Sequence, residues 1–116
     1  MCLKLMLYIL KVKKQMNKIF EKILELEKID RVTAITFVFN TLEDKMLEGD
    51  YNFCDEFMDK IEIEKFNDST LTGIIIISRP FRDKLKNLKN FILKVKEQIY
   101  KNHSKEEADA IFLGIE

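Results

Sequence analysis

The chain has one proline, three glycines, two cysteines, one histidine and no tryptophan among its 116 residues. So few turn-forming residues disfavour a many-stranded β fold, which needs them at every reversal, and suit helices joined by short loops. Cys2 and Cys54 form neither a CxxC pair nor a metal-ligand spacing, and two thiols make no disulfide framework. A reducing cytoplasm is the simplest setting for them. The single histidine, His103, directly precedes Ser104, whose expected task is to cap a helix, so neither residue is well placed for nucleophilic catalysis. Gly49, Gly73 and Gly114 stand apart, which excludes a glycine-rich phosphate loop. Net charge is also lacking, because 20 basic residues offset 20 acidic ones, so total charge points to no nucleic-acid partner.

What is present is ordinary for one globular domain. Hydrophobic residues make up 47% of the chain and charged residues 34%, which argues against disorder. A domain of this length buries roughly two-thirds of its unfolded surface, enough for one core. Residues 1–15 read as an N-terminal extension or the first turns of a longer helix, ahead of a single helical domain over 16–116. Residues 1–10 are apolar except for Lys4, too short a run to span a bilayer, and the basic Lys11, Lys13 and Lys14 follow it rather than precede it.

Hydrophobic spacing places the elements. Ile19, Phe20, Ile23, Leu24, Leu26 and Ile29 recur at helical intervals. Asp30 is positioned to cap a helix from Arg31 to about Leu47, with Gly49 supplying a left-handed end and Asp50 capping the next helix. Asp68 or Ser69 is expected to cap a segment that stops at Arg79-Pro80, since proline disfavours helix in the residue before it. Leu85, Leu88, Phe91, Ile92, Val95 and Ile99 form the cleanest stripe, on a basic helix expected over 79–101. Ser104 and Glu107 make a capping box for a last helix ending at Gly114. The expected fold is therefore all-α, a compact bundle of five to six helices in antiparallel hairpins. The alternative is an α+β fold with short strands at 32–39, 60–66 and 71–77, where β-branched residues or alternating polarity favour strand. The apolar excess at 32–39 and 74–77 also raises the expectation of a homodimer.

The Gly49-Asp50-Tyr51 turn resembles hairpin turns of tetratricopeptide-type repeats. Together with the helix ending Ser78-Arg79-Pro80, the basic amphipathic helix and the closing Phe112-Leu113-Gly114-Ile115-Glu116, it makes residues 30–116 resemble small helical proteins of bacterial and mobile-element genomes. The resemblance rests on packing motifs. It implies the helical fold and, by analogy, a phage-type inhibitor or adaptor, and brings no catalytic residue.

Charge distribution supplies the functional candidates. Residues 43–68 carry ten acids against three bases, and residues 79–101 eight bases against two acids. The first reading is a non-catalytic protein-binding module whose acidic face, Glu43, Asp44, Glu48, Asp55, Glu56 and Asp59, meets a basic partner protein. The second is a nucleic-acid-binding accessory protein that contacts phosphates through Arg79, Arg82, Lys86, Lys89 and Lys96. A third, ranked last, is a divalent-cation site at Asp55 and Asp59, which lie four apart and share a helix face but supply fewer oxygens than hard cations want. Cys54 falls on an apolar stripe and is expected to act as a small buried hydrophobe. No cofactor pattern is present.

Overall fold

The computed structural model describes residues 3–113 and consists of six α-helices and two short 3₁₀ segments, with no strand among the described residues. The helices are α1 (Leu3–Ile29), α2 (Arg31–Leu47), α3 (Tyr51–Lys60), α4 (Asp68–Ser78), α5 (Leu88–Asn102) and α6 (Lys105–Leu113). The chain is thus all-α. Residues 32–39 lie in α2 and 71–77 in α4, while 60–66 holds the 3₁₀ turn Ile63–Lys65, so none of the three alternative strands forms. Local caps outweigh β propensity there. Asp30 turns sharply in extended conformation, accepts the Val32 N–H at 3.2 Å, and takes the Thr33 hydroxyl at 3.0 Å. Such a cap is worth about 1 kcal/mol.

The α2–α3 turn has the expected chemistry. Gly49 has φ +84°, a left-handed conformation that costs a non-glycine residue, and Asp50 accepts the Phe53 N–H at 3.3 Å. At the start of α6, Ser104 and Glu107 form the expected box, with the Glu107 N–H on the Ser104 hydroxyl and that hydroxyl on the Glu107 carboxylate, both at 3.2 Å. The helix end expected at Gly114 lies outside the described residues.

α4 occupies the centre, packed against both α2 and α5. Leu71 and Ile74 are fully buried with Leu42, Phe57, Val95 and Ile99. Gly73 lets α2 come close, for a Cβ there would stand 3.2 Å from the Phe39 ring. Ile76 is the exception in this apolar run and faces out, 49% exposed. Of the two apolar stretches behind the homodimer expectation, 32–39 and 74–77, most side chains are taken up inside one chain, while Val32 and Ile76 are exposed. Ala34, Val38, Ile74, Ile75 and Ile77 are buried within one chain, and Phe37 and Phe39 pack on the same core.

The cap of α4 also differs from expectation. Asn67 stands at the cap position without a side-chain bond, and neither Asp68 nor Ser69 caps the helix. Glu27 of α1 does so from outside: its carboxylate accepts the Asn67 N–H at 2.8 Å and the Thr70 hydroxyl at 2.5 Å. This places a negative charge at the positive end of α4 and ties residues some forty positions apart.

The basic stretch is not one helix. Arg79–Lys84 forms a 3₁₀ turn that is interrupted at Phe81, residues 85–87 are non-helical, and α5 begins only at Leu88. Pro80 lacks an N–H and restricts the residue before it, which ends α4 at Ser78 and prevents a continuous helix over 79–101.

Candidate protein-binding surface

The α2–α3 hairpin divides the six acidic candidates. Glu43, Asp44 and Glu48 lie on the last turns of α2 and its cap, Glu56 and Asp59 on the outer side of α3, and all five are exposed. Glu43, Asp44, Glu48 and Glu56 form no ion pair with any described residue. Asp59 lies 3.5 Å from the ammonium of its neighbour Lys60. The hairpin therefore shows solvent a set of carboxylates with little internal compensation.

Asp55 is the correction. It is buried, only 7% exposed, and its Oδ1 accepts the Asn87 N–H at 2.9 Å while the Asn87 side-chain amide donates to the Asp55 carbonyl at 2.8 Å. This two-point clamp fixes the corner that leads into α5. The reason lies in the stripe of α3: Asp55 lies three positions before the buried Met58 and four after the half-buried Tyr51, and so shares the face turned to the body. The same fact dissolves the cation pair. Asp55 points inward and is occupied, Asp59 points outward, and no group of three His, Cys, Asp or Glu among the described residues is placed to hold a metal ion.

The basic candidates are spread over the 3₁₀ turn, the corner and α5. Arg79, Arg82, Lys86 and Lys89 are exposed. Lys96 is half-buried, with its ammonium 5.7 Å above the Phe112 ring, so part of its charge is directed to holding α6. Arg82 and Lys89 flank a shallow apolar groove of about 220 Å³ lined by Leu85, Leu88, Ile92 and Leu93. A more open depression of about 670 Å³ joins Glu64 and Glu97 to Lys94 and Lys101, with no predominance of either sign.

The two groups with chemical potential are both committed. Cys54 is fully buried, its thiol lies 3.6 Å from the Leu42 carbonyl, and burial together with Asp50 and Asp55 pushes its pKa up to about 12. A thiol held protonated in this way is a packing group, as its place on the stripe implied. His103 ends α5 and sits between two carboxylates, with Nε2 2.6 Å from Asp68 and Nδ1 3.2 Å from Glu107. These hydrogen bonds raise its pKa and join the start of α4 to the start of α6. Sequence reasoning placed His103 at a helix boundary but missed both partners, since Asp68 lies 35 positions away.

The fold and surface together define an all-helical bundle with a charged exterior. No family model, curated protein or solved structure matches the chain.

Proposed function

We propose that the protein is a non-catalytic protein-binding module, an adaptor or inhibitor that engages a basic partner through the acidic face of the α2–α3 hairpin. The observation that carries this reading is the exposure of Glu43, Asp44, Glu48 and Glu56 with no ion pair to any described residue, while Asp55 in the same stretch is withdrawn into structural work. Exposed carboxylates held on two packed helices give electrostatic complementarity to a cationic surface, which governs encounter rate and specificity more than raw affinity. The grooves are shallow or open, which suits contact with a macromolecular surface better than enclosure of a small ligand.

The test is capture from the source cell with tagged full-length protein under nuclease treatment, followed by mass spectrometry. A stoichiometric protein partner that survives nuclease and is lost in the variant Glu43→Lys/Asp44→Lys/Glu48→Lys/Glu56→Lys supports the reading. Recovery of nucleic acid that depends on Arg82 and Lys89 refutes it in favour of the basic surface.

A further inference from the structure

The largest apolar surface that the bundle leaves uncovered lies on α1. Residues 3 and 5–10 are all large and apolar, and they are between 44 and 71% exposed. Every residue from Leu3 to Lys11 is exposed, and the side chains of α1 that pack on the core begin at Met16. The segment is therefore open on all its sides. At about 100° per residue its apolar side chains run right round the helix and leave one wide gap, between Leu7 and Tyr8. Lys4 and Lys11 occupy that gap, and Lys18 continues their line by a further step of seven. No Asp or Glu occurs before Glu21, so Lys11, Lys13, Lys14 and Lys18 form a basic collar behind the apolar segment. All four are exposed, and none is ion-paired with a described residue.

We propose that this segment seats the protein on an anionic phospholipid bilayer, residues 3–10 entering the hydrocarbon of one leaflet and the collar meeting the headgroups. Two observations select lipid over a second protein. A partner helix covers one stripe of a helix, whereas hydrocarbon covers all its sides at once. The collar, undiluted by acids, is complementary to anionic headgroups. Residues 3–10 span about 12 Å, within the roughly 15 Å of one hydrocarbon leaflet, so the segment enters without crossing. This agrees with the lack of any described helix long and apolar enough to span a membrane. Lys4 shares the line of Lys11 and Lys18, so its stem runs along that line toward the headgroups. Tyr8 borders the same line, at the level where aromatic rings gather in membranes. Leu5, Met6, Ile9 and Leu10, on the side away from the lysines, are between 44 and 56% exposed. At about 200 Å² for a fully exposed residue these four alone offer about 400 Å². A myristoyl chain, at about 32 Å² per methylene, offers a similar area and needs a second signal to hold a protein stably. The lysines supply that second signal.

Flotation of the full chain with phosphatidylcholine vesicles, with and without phosphatidylserine, tests this. Wild type is compared with Ile9→Glu, with Lys11→Gln/Lys13→Gln/Lys14→Gln and with the control Leu93→Glu, which alters an exposed apolar residue of α5. Wild type and Leu93→Glu are expected to float with the phosphatidylserine vesicles. Ile9→Glu binds them at least about tenfold more weakly, and the lysine variant loses at least about tenfold of the preference for phosphatidylserine. All three variants keep their helical circular dichroism, because the replaced side chains are exposed. A wild type that does not float, an Ile9→Glu or lysine variant that binds like wild type, or flotation that Leu93→Glu abolishes equally overturns the proposal. So does a wild type that ignores vesicles and forms a dimer in sedimentation velocity that Ile9→Glu abolishes, which assigns the segment to a second copy. The acidic hairpin takes no part in this contact, so its partner test and this one fail independently.

Discussion

Replacing Asp55 with alanine separates structural from functional acidity most sharply. In the native chain its carboxylate receives the Asn87 N–H at 2.9 Å from a buried position. Alanine leaves that N–H without an acceptor where water has little access, and it loosens the clamp that starts α5. A hydrogen bond to a charged group contributes about 1.5–3 kcal/mol, so a loss of about 2 kcal/mol is expected. With an unfolding entropy of about 2.1 cal/mol/K per residue, that lowers Tm by roughly 8 °C for a chain of this length. Glu56→Ala, one position along and exposed, is expected within about 0.5 kcal/mol of wild type. Asp55→Asn keeps an acceptor oxygen and falls between the two. Urea unfolding followed by far-ultraviolet circular dichroism measures all three. If Asp55→Ala proves as mild as Glu56→Ala, the assignment of Asp55 to the clamp is wrong.

Glu27→Ala removes the carboxylate that caps α4 from α1 and is expected to cost about 1–2 kcal/mol in the same unfolding assay, with Glu27→Gln milder because it retains an acceptor. Gly49→Ala is expected to destabilise by about 1 kcal/mol from its left-handed backbone alone, since a Cβ there meets nothing within 4 Å. His103 gives a pH dependence. Its folded pKa is raised by Asp68 and Glu107, so its stabilisation is fully present below the unfolded value of 6.5 and is lost as pH rises through the folded value. The stability gap between wild type and His103→Gln should therefore shrink as pH increases from about 6 to 9, and a gap that widens over this range contradicts the geometry.

The sequence carried most of the helix boundaries because its boundary residues act locally. Asp30, Gly49, Asp50 and Ser104 each satisfy or turn backbone within three positions, and the structure uses them as their chemistry implies. What was illegible acts across the fold. The Glu27 cap of α4, the Asp55–Asn87 clamp and the Asp68–His103 contact join residues more than thirty positions apart, and no local pattern marks them. Asp55 shows the cost for the surface: charge counting grouped it with Glu56, although its spacing of four from Tyr51 and three from Met58 puts it on the apolar face of α3. The break after Pro80 was legible, but its consequence for a basic helix over 79–101 was not followed through.

The most direct test of the protein-binding reading is the affinity of the captured partner for wild type and for Glu43→Gln/Asp44→Asn/Glu48→Gln/Glu56→Gln, measured at low and high salt. Screening shortens from about 10 Å at 0.1 M salt to about 3 Å at 1 M, so wild-type binding should weaken as salt rises. The neutralised variant should bind at least about tenfold more weakly at low salt and respond less to added salt. Equal affinity and equal salt response in the two proteins would contradict the account and move the contact away from the α2–α3 hairpin.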